Sequence, residues 1–365
     1  MNFKLALQPS LFIFALCFSL SQKALSQTPS DLAALSLQEL MGISIDDDTD
    51  TVVHAHDHNE RWSISYGYQR LELDGYRNGT DNLSDETAIF RPPEARTTTN
   101  YPILPTVITQ EVHTLNLNYK LNEQLHLGIT APYILQSTEH KSIVPGFDEF
   151  TIRSEGVGDV AINVAYTLPL ADSGRWKLLA AVSLPTGSIS ETGDTPRNGA
   201  GTKERLPYTM QLGSGTYDFP LSIQYSNVHQ QIHYGGQLSA RIRTGKNNEG
   251  YRLGNTYGLN SWARWMTNSW FHPGLSIAYR HADKIQGRDD RLTVAGLFPF
   301  PANITDPDNY GADKVDLGAS IRICSQKKHC LQYIDLNISK AVYQRLNGVQ
   351  IKEGAVFGLT SGINF

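Results

Sequence analysis

The chain closes on Glu353 to Phe365, reading EGAVFGLTSGINF, in which Phe357, Leu359, Ile363 and Phe365 share one face and Gly358, Thr360, Gly362 and Asn364 the other. A period of two with one apolar face and one small polar face marks a strand between an apolar medium and water. That medium is either the core of a soluble sandwich or lipid. No stretch of the chain approaches the eighteen or so consecutive apolar residues of a spanning helix, and the mean hydropathy is -0.32. Lipid residence therefore requires strands closed into a ring, because only helices and barrels satisfy every backbone polar group in hydrocarbon.

Working back from that end, the same alternation recurs. Trp62, Ile64, Tyr66 and Tyr68 mark a first strand, and Leu115, Leu117 and Tyr119 a second. Further sets begin at Leu125, Val160, Leu178, Phe219, Ile232, Tyr257, Leu275, Val315 and Ile334. With the terminal strand this makes about twelve, an even number that leaves both ends of a single-chain barrel in the periplasm. The connections alternate in length. Asn122 to Gln124, Ala171 to Gly174, Asn227 to Gln230, Thr267 to Ser269 and Cys324 to Cys330 are short. Those from Gly75 to Ile108, Glu139 to Glu155, Thr186 to Tyr208, Gly245 to Gly250, Ala282 to Tyr310 and Gln344 to Lys352 are mostly long. Short periplasmic turns facing longer outer loops is a barrel property that a sandwich has no reason to share. The expected fold is all-β: a transmembrane antiparallel up-and-down β-barrel of about twelve strands over residues 61–365. The terminal Phe365 resembles the C-terminal signature of bacterial outer-membrane barrels, which the barrel assembly machinery reads, and that resemblance adds outer-membrane lipid and this machinery as partners.

The other end carries an address. Lys4, the apolar run Leu11 to Leu20 and the small residues up to Ser26 form a signal peptide over residues 1–26, too short to span as a helix. The expected location is the outer membrane of a Gram-negative cell. Residues 27–60 form a separate periplasmic segment. Ser30 is placed to cap a short helix from about Asp31 to Met41, and Ser36 to Ile45 resembles a segment near the N-termini of TonB-dependent receptors, although no plug domain follows it. Asp46, Asp47, Asp48 and Asp50 then precede His54, His56, Asp57 and His58. Those imidazoles have the ligand chemistry for Zn²⁺ or Cu²⁺, but the spacing matches no catalytic motif, and a solvated linker is the commoner outcome. In an oxidising compartment Cys324 and Cys330 are expected to form a disulfide across a short turn.

Charge and composition exclude some partners. Removal of Lys4 and Lys23 takes the 31 basic residues to 29 against 36 acidic, a formal charge of -7, which argues against nucleic acid. No cofactor motif is present. The residues between the apolar ones point inward, and arginines gather there on the later strands. Arg241, Arg243, Arg252, Arg264, Arg280 and Arg322, with Asp159, Asp316 and Asp335, are the expected lumen-lining charges. They serve either as a selectivity lining for an anionic or polar solute or as ion pairs that hold the wall in shape.

Three glycine-marked segments are more specific together than apart. GVGDVAINVAY from Gly156, SLPTGS from Ser183 and LGSGTYDF from Leu212 carry Gly156, Gly158 and Asp159, then Leu184 to Gly187, then Leu212, Gly213, Gly215 and Asp218. In order and spacing they resemble the outer-membrane family named for the MetA-pathway of phenol degradation. That resemblance implies a barrel and a role in passing small molecules, including hydrophobic or aromatic ones, across the outer membrane, and the leading reading is passive passage with no covalent step. Two other readings stand beside passive passage. One is a barrel enzyme of the outer-membrane phospholipase type, for which His140 and Ser142 are the candidate pair if both face lipid. The other is a structural or adhesive barrel whose loops do the work.

Overall fold

The computed structural model describes residues 61–170, 174–197, 201–325 and 330–365. The expected signal peptide, the 27–60 segment with the helix expected there, and His54, His56 and His58 lie outside the described residues. In chain order the strands are β1 (Trp62–Gly79), β2 (Asp81–Leu83), β3 (Ile103–Lys120), β4 (Leu125–Ser142), β5 (Glu149–Val157), β6 (Ala161–Pro169), β7 (Arg175–Ser183), β8 (Thr192–Asp194) and β9 (Lys203–Arg205). They continue as β10 (Asp218–His229), β11 (Ile232–Arg243), β12 (Tyr251–Arg252), β13 (Thr256–Trp265), β14 (Phe271–Ala282), β15 (Gln286–Gly287), β16 (Ala312–Cys324) and β17 (Gln332–Asn364).

Each wall strand pairs antiparallel with the next in sequence, and β17 returns to pair with β1, so the sheet closes on itself. Closure runs from Ser63 opposite Asn364 to Gly79 opposite Leu346. Phe365 is held at the seam, its carbonyl accepting from the backbone N–H groups of Arg61 and Trp62. β5 and β6 act as one interrupted strand, both pairing with β4 and breaking around Gly158 to Val160. β2 and β5 extend the sheet beyond the ring of eleven strands.

The 33 residues of β17 cross the wall twice. Its first part pairs with β16 as far as Leu346, its second part pairs with β1 from Leu346 onward, and the N–H of Asn364 donates to the carbonyl of Leu331 at 2.9 Å. The ribbon therefore doubles back around Asn347 and Gly348, where Gly348 has φ 61°. The wall thus has the even number of passes expected. The stretch from Gln344 to Lys352, expected as an outer loop, is almost entirely strand.

The short turns fall where the sequence put them. The Asn122 side chain accepts from the N–H groups of Gln124 and Leu125, and that of Asn268 from Trp270 and Phe271, two turns closed by side-chain mimicry of the backbone. A disulfide joins Cys324 to Cys330 across the last. On the outer face of the wall, Ile129, Leu221, Leu275, Leu317 and Leu336 are exposed. Aromatics bound this band at both levels: Trp62, Trp176 and Trp265 toward the short turns, Tyr133, Tyr257, Tyr279 and Tyr343 toward the long loops. An apolar band between aromatic girdles is the outward face of a lipid-embedded barrel.

β1, β3 and β4 are longer than the alternation predicted, each running 18 residues. The reason lies in a change of phase. On β1 the outward set turns from Trp62, Ile64 and Tyr66 to Arg70, Glu72 and Asp74, while the inward Leu71, Leu73 and Tyr76 become fully buried. Above the lipid the strand is polar outside and apolar inside. For the same reason β5 lies within what the sequence left as the loop Glu139 to Glu155.

Gly348 gives this account a test. A Cβ there would stand 2.0 Å from Oδ1 of Asn309, on a backbone that costs an L-residue roughly 1–2 kcal/mol. Gly348→Val is expected to lower the temperature at which the folded band on an unboiled gel converts to the unfolded one, while Gly79→Val, with open space around its Cβ, lowers it less.

Candidate functional site in the barrel lumen

Parts of two outer loops pack against the inner side of the wall. Residues 84–102 begin with the single turn α1 (Asp85–Ala88), capped by the Ser84 side chain accepting from the N–H of Thr87. They meet residues 283–311 through Asn309 Nδ2, which donates to Tyr101 Oη at 2.5 Å, and the next residue, Ile103 of β3, bridges to Ala302. Ala88, Ile89 and Ile304 are buried in one cluster with the inward Leu71, Ile108 and Val349 of the wall. Arg96 lies over the rings of Tyr101 and Phe298 and donates to the carbonyl of Phe300. The outer end of the lumen is thus lined and occupied by apolar side chains.

Below it the lumen is polar. Gln110 Nε2 donates to Gln136 Oε1 at 2.7 Å, and Gln136 in turn donates to the carbonyl of Gln211. On the opposite wall Arg280 makes two bonds to Asp316, at 2.6 and 2.7 Å, and another to Glu353 at 2.6 Å, while Lys314 also donates to Glu353. All four are buried, and two cations face two carboxylates, so the cluster is balanced. Arg243 pairs with Asp218 at 3.2 Å. Toward the short turns Arg322 grips Asp335 with two nitrogens, at 2.9 and 2.6 Å, and covers the Tyr333 ring, with Arg264 at 3.9 Å from the same carboxylate.

The three glycine-marked segments, distant in sequence, converge on one carboxylate. Asp159 Oδ1 accepts from the N–H of Gly187 at 2.9 Å, and Oδ2 from both the N–H and Oγ of Ser214 at 2.8 Å. A Cβ on Gly187 would meet the Leu212 carbonyl at 2.5 Å, and one on Gly213 the Gly187 carbonyl at 2.5 Å. Only glycine admits this backbone contact. The knot sits where β5 breaks from β6 and β7 ends, and it fills the step in the wall.

Two sequence expectations change here. Arg252 is not on a wall strand. It lies in the two-residue ribbon β12, paired with β15 outside the ring, because Gly250 at φ 85° turns the chain away, and its Nη1 donates to the carbonyl of Arg243. Asp159 is not paired with an arginine, since it spends its oxygens on loop N–H groups. Arg241 is half-buried on the inward phase of β11 beside Arg243. Trp262, which the weak alternation of its strand hid, points inward and is buried against Gly235.

His140 and Ser142 do not form a lipid-facing pair. Both are buried on the inward phase. The His140 ring stacks on Phe150 with Nδ1 at 3.1 Å from the Thr138 carbonyl, and the Ser142 Oγ accepts from the N–H of Val144. Among the described residues no group of side chains has the arrangement of a metal site.

A closed antiparallel wall with an apolar outward band and a polar interior defines an outer-membrane β-barrel. One solved structure agrees on the fold, and others are similar at lower scores. An outer membrane channel from Pseudomonas putida F1 superposes with a TM-score of 0.53 at 12% identity, covering 86% of this chain and all of that one. A FadL homologue from Pseudomonas aeruginosa gives 0.40 at 11% identity, covering 93% of this chain and 99% of that one. The CymD monoaromatic hydrocarbon channel gives 0.37 at 9%, covering 84% and 89%. No protein-family model and no curated protein matches the sequence.

Two measurements probe the site. Glu353→Gln removes the shared carboxylate and leaves Arg280 and Lys314 facing Asp316 alone, so a loss of about 3–5 kcal/mol is expected in urea unfolding of the reconstituted barrel. Pairing it with Lys314→Met should return a large part. The second concerns Asp306, in the loop over the outer mouth, whose carboxyl is pushed up to about 6 by burial, against the lowering effect of the hydrogen bond it accepts from the Asp308 N–H. Its folded value exceeds the unfolded one, so the packed loop is stabilised as pH falls from about 6 toward 4 and loses that contribution as pH rises through 6. Conductance is expected to be lower at pH 5 than at pH 7, and Asp306→Asn should flatten that dependence.

Proposed function

We propose that the barrel passes a small hydrophobic or aromatic solute across the outer membrane without any covalent step. The observation that carries this reading is the apolar lining at the outer end of an otherwise polar lumen. Side chains such as Ile89, Phe300 and Ile304 offer a solute of that kind a place to leave water before it enters the barrel. The resemblance of the GVGD, LPTG and LGSG segments to the MetA-pathway family supports it, as does the likeness in fold to an outer membrane channel. An adhesive role has no comparable observation in its favour: residues 302–305 of the 283–311 loop are buried, and part of it, around Leu297, is exposed. A phospholipase role lacks its pair.

The same reading makes the chain an exported Gram-negative protein, cleaved after Ser26, with Phe365 presented to the barrel assembly machinery. Purified protein in planar bilayers is expected to conduct, and aromatic solutes added on the loop side are expected to reduce the current in a concentration-dependent way. A barrel that neither conducts nor responds to any aromatic or aliphatic solute would overturn the reading. Replacing Ile89 and Ile304 by serine should weaken the solute effect several-fold while leaving the conductance measurable.

A further inference from the structure

On the inward phase of β11, β13, β14 and β16, Trp262 is the one large apolar side chain, and the rest are polar, Gly or Ala. It stands two inward positions from Gly258, the register partner of Arg280, and one inward position from Arg264, which reaches Asp335. The indole therefore lies between the balanced ion cluster and the charges nearer the short turns. The lumen is polar above and below it.

The wall provides a seat for the ring. Gly235 is directly opposite on β11, and a Cβ there would stand 2.5 Å from Cζ2 and 2.8 Å from Cη2 of the indole. Only a residue without a side chain leaves that room. Trp262 is 6% exposed, and Ser226, Gln237 and Asn260 around it are buried as well. Its Nε1 is also buried and has no hydrogen-bond partner among the described residues. Packing and not hydrogen bonding holds the ring, so what it contributes is bulk.

The neighbouring wall is bare. Ser276 on β14 is the other register partner of Trp262, and the same row continues through Gly318 on β16 to Ser339 on β17. All three are partly exposed, and a Cβ on Gly318 would stand 2.4 Å from the Ser276 Oγ. At one level of the lumen, then, the side formed by β10, β11 and β13 is filled by the indole, while the side formed by β14, β16 and β17 carries short side chains with space before them.

We propose that Trp262 sets the width of the lumen below the ion cluster, confining passage to the strip before Ser276, Gly318 and Ser339 and so fixing the upper size of the solute. A flat, single-ring molecule lies on the short side chains with the indole beside it, and a fused-ring one is turned away. The identity of what passes rests on the function proposed above. The width of the strip does not.

Two measurements test this in the reconstituted mature chain. Trp262→Ala, shown to be folded by its mobility on an unboiled gel, is expected to conduct several-fold more than wild type, and Ser276→Leu, which fills the open side, less. Benzoate should enter vesicles through both wild type and Trp262→Ala, and anthracene carboxylate through Trp262→Ala alone. The other measurement keeps Trp262 in place. Because Cys324 and Cys330 are joined to each other, an introduced cysteine is the free thiol. A water-soluble methanethiosulfonate should label Ser276→Cys many times faster than Asn260→Cys, and adding Trp262→Ala should remove the difference. Equal labelling of the two cysteines beside an intact Trp262 overturns the proposal, as does a folded Trp262→Ala barrel with the conductance and size limit of wild type. A wild-type barrel that admits no aromatic solute while the two cysteines label unequally refutes the solute reading and leaves the assignment of Trp262 standing.

Discussion

Everything in this molecule depends on the seam between β1 and β17. In hydrocarbon an unpaired backbone N–H or carbonyl costs several kcal/mol, so a sheet can lie in lipid only if its first and last strands find each other. Here they do so over nearly the whole of β1, from Ser63 opposite Asn364 upward, with Phe365 bonded across to Trp62. The demand then propagates. A closed ring fixes which face of every strand meets lipid, so Leu221, Leu275 and Leu336 must be apolar, and what lies between them is left to the lumen. The C-terminal aromatic is at once part of the lipid-facing band and the last link of the ring.

The lumen is not of one kind along its length. Close to the lipid it holds ions in pairs, and above the lipid it holds apolar side chains against inward loops. The two halves follow from what surrounds the wall at each level. Where lipid is outside, greasy residues are used there and the inside is free to be polar. Where water is outside, the strands have no core unless they make one inside, and Leu71, Leu73, Ile108 and Val349 make it with Ala88, Ile89 and Ile304. The inward loops are therefore held against the wall by the same effect that folds soluble proteins.

That inversion also explains which parts of the fold were legible in the sequence. The lipid-level strands, the short turns and the disulfide turn are local signals, a period of two or an Asn at a reversal, and each reads correctly from the chain alone. The upper halves of β1, β3 and β4 are strands of the opposite phase, and a reader following Trp62, Ile64 and Tyr66 stops at Arg70 because the greasy residue has moved from the even to the odd position. The inward charges on β11, β13, β14 and β16 were legible for the same reason of phase, but their partners were not. Nothing local links Arg280 to Glu353 or Arg243 to Asp218, because such pairs are made by register across strands. Arg252 was misplaced since a two-residue ribbon between glycines has no period to read. The glycine-marked segments were recognised by their pattern, whereas their reason, three loops sharing the oxygens of Asp159, exists only in the folded chain.

The buried ion pairs are better understood as constraints on the wall than as sources of stability. Moving charges out of water costs free energy that their mutual attraction only partly offsets, so a barrel seeking stability alone would fill its middle with leucine. A polar middle is useful if water or a solute must pass, and paired charges give that polarity without a strong net field at the level of Arg280, Lys314, Asp316 and Glu353. Toward the short turns one carboxylate, Asp335, serves both Arg322 and Arg264. A balanced waist beneath an apolar outer end makes the two ends of the lumen chemically unlike, and that difference follows from whether lipid or water lies outside the wall at each level.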